Sequence, residues 1–365
     1  MREKKIDKPF LIGVIILIVI GFFIFTSAAL GLLARQGATF GSVAFNQLFF
    51  GLFLGGFGLF ACTFIDYRIW KRHAMVLYIL SIVITLMVFV PHLGFAHGGA
   101  RRWISVGSLS LQPAEIYKVG FVFFWAAWLA SVKTKVATYK FGLWPFAILV
   151  VITAIVLLIQ PDTDTFFIIF FAGLGMYITA GCRWRDLLIL AMLALMGFGI
   201  MYATKPYIRD RVNTLIHPTQ NTLTSGYQVQ QSEIAIGSGQ LFGRGFGQSI
   251  QKFSFLPEPI GDSIFAVAAE EFGFIGSVVL VFLYLFFSFR GLRIAAQVQD
   301  TFGRLVIVGI VILIASESFL NIGAMLGILP LSGTPLLFVS HGGTALFFTL
   351  VEVGIILNIS KEQKV

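Results

Sequence analysis

Long apolar segments recur along almost the whole chain, and they limit its possible folds more than any other feature. A hydrocarbon core about 30 Å thick needs roughly 20 apolar residues for each helical crossing. Unpaired backbone groups cannot face hydrocarbon, and the period-2 alternation of a membrane barrel is absent, so we expect each segment to be a helix. The segments are Phe10–Leu33, Phe45–Ile65, Ala74–Leu93, Ala114–Val132, Gly142–Ile159, Thr165–Gly181, Leu187–Ala203, Ser263–Phe289, Phe302–Leu329 and Pro335–Ile359.

Composition supports the same fold class. Of the 365 residues, 58% are hydrophobic and only 12% are charged, which is too little polar surface to cover a soluble protein of this length. The prediction is an all-α polytopic membrane protein with ten transmembrane helices in a single domain, residues 1–365. Cys62 and Cys182 are expected to be two reduced thiols, because their positions favour neither a disulfide nor a metal framework.

The Lys and Arg residues predict the orientation of the chain. Most of them fall on the same side as Met1–Pro9, so the positive-inside rule places both termini in the cytoplasm. The net charge of +9 is then mostly charge that sets topology, and it implies no nucleic-acid partner. The extracytoplasmic group comprises Arg35, Arg101, Arg102, Lys205, Arg209, Arg211, Arg244 and Lys252.

A polar, Gly-rich insert at residues 204–262 interrupts the apolar pattern between the seventh and eighth predicted helices. It is predicted to be a large extracytoplasmic loop that contains a short amphipathic helix over 226–239, followed by a Gly-rich turn. The glycines do not match a known phosphate-binding spacing, so a lid or a re-entrant element at the membrane is the better interpretation. The insert ends in Leu256-Pro257-Glu258-Pro259 and Asp262, which places carboxylates at the mouth of the predicted bundle.

Glu115 and Lys118 are charges at the start of the fourth apolar segment. Their spacing of three puts them on one helix face, where they can pair. The pair is either a self-neutralising structural contact or part of a substrate site, since both occur inside membranes. Gln112 and Pro113 precede it, and the free N–H groups of a helix that begins there could hold an anion.

Two short motifs flank this helix. Arg101 and Arg102, followed by Trp103, lie at the predicted outer interface, where paired Arg residues suit a bidentate grip on phosphate. Asp162 and Asp164 follow Gln160 in a very short turn; Asp164 is expected to cap the next helix, and Asp162 is a tentative ligand for a divalent cation, Mg²⁺ or Mn²⁺.

Taken together, the motifs resemble those of the SEDS (shape, elongation, division and sporulation) family, in family order and from the first apolar segment to the last. The matching motifs are Gly99–Ile104, Gln112–Lys118, Gln160–Asp162, Gly226–Gln228, Gln231–Gly239, Leu256–Pro259 with Asp262, Ala269–Gly273, Asn321–Gly323 and Val339–Gly343. The resemblance implies a ten-span peptidoglycan glycosyltransferase of the bacterial cytoplasmic membrane. It also implies lipid II as substrate and, as partners, a class B penicillin-binding protein and other divisome membrane proteins.

The resemblance further implies roles for individual residues. Asp262 is the candidate base for the acceptor hydroxyl, and Glu258 is expected to assist it or to bind a metal; a plain helix cap is the alternative for Asp262. Arg101, Arg102, Lys118 and Lys252 are candidates for the pyrophosphate, and the Phe-rich helices for a lipid groove. The remaining candidate substrate-binding residues are Gln112, Glu115, Gln160, Gln228, Gln231 and Ser340.

Two departures from the family pattern stand out. The chain has Ile260-Gly261-Asp262-Ser263 where the family usually has His-Thr-Asp-Phe, and His341 where the family has Tyr; a packing role is the expectation for His341. Gly247–Ser249 with Gln251 and Lys252 resembles the division branch, FtsW, more than the elongation branch, RodA. Two other functions remain open: a lipid II flippase that uses Glu115, Lys118, Glu317 and Glu352, and a scaffold without enzymatic activity.

Overall fold

The computed structural model describes residues 5–34, 40–97, 100–106, 109–217 and 225–363. Arg2, Lys4, Arg35 and Lys364, which entered the predicted orientation, and Gly99 of the first Arg motif lie outside these ranges. The α-helices are α1 (Lys8–Leu30), α2 (Phe40–Phe45), α3 (Gly55–Phe64), α4 (Arg68–Leu86), α5 (Pro113–Val132), α6 (Trp144–Leu158), α7 (Thr163–Thr179), α8 (Trp184–Thr204), α9 (Pro206–Ile216), α10 (Ser225–Ser238), α11 (Gln251–Ser254), α12 (Ile264–Gln297), α13 (Thr301–Met325) and α14 (Gly343–Ser360).

Helices dominate the described residues, as the apolar segments predicted. Within those residues, nine helices are long and apolar enough to cross a membrane, and α7 is a tenth apolar helix of 17 residues. A wider helical turn at Asn46–Leu54 joins α2 to α3 as one crossing. The chain is therefore a multi-pass membrane protein in its fold, with α13 and α14 buried at the centre and α8 at the periphery.

A small antiparallel sheet was not predicted. Its strands, β1 (Gly94–His97), β2 (Ala100–Val106) and β3 (Leu109–Leu111), lie between α4 and α5 in the order β1-β2-β3. The purely α-helical prediction missed it because the strands are short. The sheet holds the Arg101–Trp103 motif at one end of the bundle, which we call the cavity side; the opposite end, where Asp7 hydrogen-bonds Ser360, is the termini side.

The 204–262 insert is mostly ordered secondary structure within its described part, since it contains α9, α10 and α11. The predicted helix over 226–239 is confirmed as α10. Several predicted boundaries differ, and two of these differences affect the site: α7 begins at Thr163 and not at Thr165, and α14 begins at Gly343 and not at Pro335. Residues 335–342 remain irregular because they pack across the segment that precedes α12, where Ile260 O accepts a hydrogen bond from His341 N at 2.7 Å.

Candidate functional site

A polar cavity of about 490 Å³ opens on the cavity side of the bundle. It is built by the sheet, by the segment before α12 and by the start of α14, together with single residues of other elements. Its lining residues are Asn46, Phe50, Ala100, Arg102, Trp103, Ser110, Arg211, Glu258, Ile260, Gly261, Asp262, Gly333, His341, Gly342, Gly343 and Thr344.

The backbone around Asp262 is fixed from several directions. Glu258 O accepts hydrogen bonds from the N–H groups of Gly261 and Ser263, both at 3.1 Å, which closes a tight turn. Asn321 Nδ2 donates to Asp262 O at 2.7 Å, and Ser340 Oγ donates to Gly261 O at 2.8 Å. The turn is therefore held rigidly through main-chain contacts, and the Asp262 side chain is left to face the cavity.

The Asp262 carboxylate accepts no hydrogen bond from any residue that the structure describes. Burial raises the pKa of Asp262 to about 7, and the negative charges of Glu258 and Asp164 add to that rise, while Arg102 and Arg211 oppose it. A carboxyl group with a pKa near neutrality, in a polar cavity, is suited to accept a proton during a reaction.

The helix-capping alternative for Asp262 does not match this geometry. Ser263 is the residue at the N-cap position of α12, and no side chain caps that helix. The capping prediction for Asp164 is wrong as well: Asp162 caps α7 by accepting from Thr165 N at 3.4 Å, whereas Asp164 pairs with Arg211 at 2.7 Å. The helix starts two residues earlier than the apolar pattern indicated, which shifts the cap by the same amount.

Two guanidinium groups line the cavity. Arg102, on β2, donates to the carbonyl oxygens of Pro161 and Gln160 and lies 3.6 Å from Asp162. Its neighbour Arg101 is exposed and is not part of the cavity lining. The second guanidinium belongs to Arg211 on α9, which the sequence pattern indicates only as a charge that sets topology.

The start of α14 adds a third electropositive element. Gly342, Gly343 and Thr344 line the cavity, and the structure shows no side-chain cap on this helix. The free N–H groups and the dipole at a helix N-terminus favour an anion. His341 also faces the cavity; its ring stacks on Phe25 at 6.1 Å, its Nε2 has no partner among the described residues, and burial lowers its pKa, so the ring is held neutral.

The predicted contact between Glu115 and Lys118 is confirmed, at 2.7 Å, but it lies away from the cavity lining. Lys118 also binds Glu317 of α13 at 2.6 Å, and all three side chains are buried. We call these three residues the Lys118 cluster. Its contacts are internal, so the ammonium of Lys118 is not available at the cavity in this structure.

Lys252 is also occupied elsewhere, contrary to its predicted contact with pyrophosphate. Its side chain is 0% exposed, binds Glu271 at 2.7 Å and donates to Ser27 Oγ at 3.0 Å. The sequence placed it near the Glu258–Asp262 motif, but α11 turns its side chain toward α1 and α12. This geometry gives Lys252 a structural contact.

The predicted polar side chains mostly support the cavity from behind. Gln228 Nε2 donates to Ser263 Oγ at 2.9 Å, and Gln160 Nε2 donates to Thr85 O at 3.0 Å. Gln112 precedes α5 at its N-cap position without a side-chain cap bond, and Gln231 is partly buried on α10. Ser340 holds the Gly261 carbonyl as described above. None of these five side chains is part of the cavity lining.

Asn46 and Arg211 line the cavity and Asn321 lies behind it, but the sequence alone assigns none of these three side chains to the site. Asn46 lies inside an apolar segment, where a polar amide is a detectable signal; Asn321 was noticed only as part of a family motif. Within the described residues, no three His, Cys, Asp or Glu side chains lie close enough to hold a metal ion. Of the two candidate ligands, Asp162 already contacts Arg102 and Thr165, and Glu258 faces the cavity.

The fold and the site together define a polytopic membrane protein with a polar cavity that contains Arg102, Arg211 and the Asp262 carboxylate. The family model for FtsW, RodA and SpoVE, described as cell cycle protein, matches residues 8–365. The chain belongs to this family.

Individual relatives support the assignment over the full length. The chain is 34% identical to stage V sporulation protein E of Bacillus subtilis over 100% of both chains. It is 34% identical to a probable peptidoglycan glycosyltransferase FtsW of Geobacter sp., over 85% of each chain. Among solved structures it matches a chain of a peptidoglycan synthase complex that coordinates polymerization and crosslinking, with a TM-score of 0.80, 27% identity and 97% of each chain covered. It also matches RodA of Thermus thermophilus, with a TM-score of 0.70, 25% identity and coverage of 98% and 97%.

Proposed function

We propose that this chain is a peptidoglycan glycosyltransferase that polymerises lipid II at the outer face of the bacterial cytoplasmic membrane. The observation that carries the proposal is the Asp262 carboxylate, which has no hydrogen-bond partner among the described residues and lies in a cavity that also contains Arg102 and Arg211. Relatives named as peptidoglycan glycosyltransferases support the reaction, since they align with most of this chain.

The reaction is a single inverting displacement. The 4-hydroxyl of the acceptor sugar attacks the anomeric carbon of the donor and loses its proton to Asp262, while the bond from that carbon to the pyrophosphate oxygen breaks. The leaving pyrophosphate keeps the electron pair, and Arg102, Arg211 and the N-terminus of α14 stabilise its charge. Burial, aided by the charge of Glu258 on the same turn, keeps the pKa of Asp262 high enough to take the proton.

An apolar route for the polyprenyl tail supports the same substrate. A second cavity of about 170 Å³ contains Arg211 and Asp164 together with Phe167, Phe198 and Met201. A third, of about 350 Å³, lies between α6, α7 and α8 and shares the last three of these residues. Arg211 thus lies between a polar site for the head group and apolar space for the tail.

The finer topology is part of the proposal. With α7 counted as a crossing, the chain has ten transmembrane helices, both termini lie in the cytoplasm, and the 204–262 insert is extracytoplasmic. Glu258 and Asp162 are the residues that would hold a divalent cation, Mg²⁺ or Mn²⁺, which would supply positive charge near the leaving pyrophosphate; Asp162 is the weaker candidate ligand because it already contacts Arg102.

We further propose a class B penicillin-binding protein as partner and septal synthesis in cell division as the cellular role. The match to a chain of a peptidoglycan synthase complex supports the first, and the relatives named FtsW support the second. An elongation role of the RodA type is the alternative, since the chain shares its fold with RodA of Thermus thermophilus.

The test is to purify the chain with its cognate transpeptidase, to supply labelled lipid II, and to look for glycan ladders on a gel. Ladders from the wild type that are absent from Asp262→Ala would support polymerisation. A flippase would instead move lipid II across vesicles in an Asp262-independent way, and a scaffold would need neither Asp262 nor the Lys118 cluster. Either of these results would overturn the proposed reaction.

A further inference from the structure

The Gly-rich loop, residues 239–250 between α10 and α11, exposes large apolar side chains that the proposed reaction does not use. Phe242 is 79% exposed, and Leu241, Phe246 and Ile250 are each at least half exposed. A loop in water would not normally carry such side chains at its surface. Their exposure therefore needs a partner, and the position of the loop indicates which one.

The depth of the loop in the membrane can be measured along α1 and α12, which pack against each other. On the termini side, the Phe10 and Phe287 rings are 5.1 Å apart, next to the ion pair between Asp7 and Arg290. These charges mark one boundary of the hydrocarbon layer. Thirteen residues farther toward the cavity side, α1 reaches Phe23 and α12 reaches Phe274, a rise of about 20 Å on each helix.

The loop contacts both helices at that height. The Phe246 ring meets Phe23 at 6.4 Å, and Gln240 O accepts from Phe274 N at 2.8 Å. A hydrocarbon layer about 30 Å thick that begins near Phe10 extends about 10 Å beyond this level. The apolar residues of the loop therefore lie at the depth of the acyl chains on the cavity side, next to the exposed faces of Phe23 and Phe274.

The backbone of the loop is satisfied in the way that this depth requires. At Gly273, where φ is 67°, α12 is interrupted, and the loop fills the break: Arg244 N and Gly245 N donate to the carbonyl oxygens of Glu270 and Glu271, both at 3.0 Å. The approach is so close that a Cβ on Gly243 would lie 2.1 Å from Glu271 O. Irregular backbone at membrane depth is tolerated only where protein groups satisfy it.

The side chains of Glu270 and Glu271 complete this arrangement. Glu271 accepts from Gly247 N at 3.1 Å and from Ser249 N at 3.3 Å, and it is neutralised by Lys252. Glu270 accepts from Ile250 N at 3.1 Å and from the Ser249 hydroxyl. Two buried carboxylates thus replace the water that would solvate these N–H groups in an aqueous loop.

We propose that the Gly-rich loop is a re-entrant segment that inserts into the leaflet on the cavity side and binds phospholipid acyl chains through Leu241, Phe242 and Phe246. The loop continues the lipid-facing surfaces of α1 and α12, and it anchors the polar segment that leads to Glu258 and Asp262. The inference concerns a surface and does not depend on the proposed reaction.

Depth-dependent fluorescence quenching in lipid nanodiscs tests the proposal. In a Cys62→Ala, Cys182→Ser background, single cysteines at Phe242, Leu195 and Lys135 receive an environment-sensitive dye. Leu195 is an exposed residue in the middle of α8 and serves as the acyl-chain control, and exposed Lys135 serves as the aqueous control. At position 242, spin labels high on the acyl chain should quench the dye at least about twofold more strongly than a water-soluble nickel chelate does. At position 135, the nickel chelate should be the stronger quencher.

Quenching at position 242 that matches the Lys135 control would overturn the proposal. A second measurement covers the case in which cysteine at 242 disturbs the fold: benzoylphenylalanine at position 242, photoactivated in cells, should yield phospholipid adducts by mass spectrometry. A discrete protein adduct at this position would show that a partner polypeptide covers the loop, and would overturn the assignment to lipid.

Discussion

The cavity and the Lys118 cluster treat their charges in opposite ways. In the cluster, Lys118 binds Glu115 at 2.7 Å and Glu317 at 2.6 Å, and all three side chains are buried inside the bundle. In the cavity, the Asp262 carboxylate has no hydrogen-bond donor among the described residues. The cluster lies near the start of α5, and Asp262 lies just before the start of α12. The sequence pattern makes both regions candidates for a functional site.

The difference separates structural charges from reactive ones. A buried charge with partners stabilises a particular packing of helices, whereas removing one partner leaves an uncompensated charge. A carboxylate without partners costs free energy in the folded state, and such a cost is typical of groups that act on a substrate. The comparison predicts that mutations in the two regions will affect different measurements.

The largest expected effect is on catalysis. Asp262→Asn should lower polymerisation by about 10²- to 10⁴-fold, because the amide keeps the size of the side chain but cannot accept the proton. The thermal unfolding midpoint should stay the same or rise, since the amide carries no charge to desolvate. Ladder assays and thermal unfolding on the same preparation check both results. Glycan ladders of normal length from this variant would remove Asp262 from the mechanism.

The Lys118 cluster should show the reverse pattern. Lys118→Met leaves Glu115 and Glu317 without their cation and should destabilise the fold by about 3–5 kcal/mol. Exchanging the pair, Glu115→Lys with Lys118→Glu, should destabilise the fold as the single changes do, because the new carboxylate would face Glu317. Thermal unfolding in detergent measures the loss.

A matched control inverts the whole cluster. Adding Glu317→Lys to the exchanged pair places one carboxylate between two cations and should recover part of the lost midpoint. An exchanged pair that is as stable as the wild type would mean that Glu317 contributes little to the cluster.

The cluster also shows how far the sequence could lead. The contact between Glu115 and Lys118 was predictable from their spacing on one helix, and the long helices from their continuous apolar residues. Glu317 comes from a helix 199 residues away, so no local pattern could pair it with Lys118. The position of Asp262 at the end of the polar insert, together with the resemblance to a family, makes it a candidate, but neither predicts its surroundings in the fold.

The predicted role of Lys252 was wrong and the small sheet was missed for related reasons. Proximity along the chain suggested that Lys252 joins Asp262, but α11 directs it to Glu271, and a turn of so few residues cannot be oriented from sequence alone. The strands of the sheet are only three to seven residues long, and their register, such as Gly94 opposite Ile104, is set by pairing between strands and not by a pattern within one strand. Short elements carry too little periodicity to be detected.

The two neighbouring arginines sharpen the comparison within the cavity. Arg102→Gln should weaken lipid II binding by about tenfold, since charge-assisted contacts to a pyrophosphate are strong. Arg101→Gln should leave binding nearly unchanged, because Arg101 is exposed and does not line the cavity. Binding of labelled lipid II to nanodiscs measures both. Equal losses in the two variants would mean that the strand presents both side chains to the substrate.

The smallest expected effect is the pH dependence of the polymerisation rate and of the stability. Because the pKa of Asp262 is raised to about 7, the rate should rise up to about tenfold per pH unit below that value and flatten above it. Stability should change in the opposite sense: the neutral carboxyl stabilises the fold fully below the ordinary Asp pKa of about 4, and this contribution is lost as the pH rises through about 7. The thermal unfolding midpoint of the wild type should therefore fall relative to that of Asp262→Asn over that interval.

Glu258→Gln should move the pH profile of the rate to lower pH, because the charge of Glu258 helps to raise the pKa of Asp262. Rate and unfolding profiles of the three proteins measure these changes, and a wild-type unfolding profile parallel to that of Asp262→Asn would show that Asp262 does not titrate in this interval.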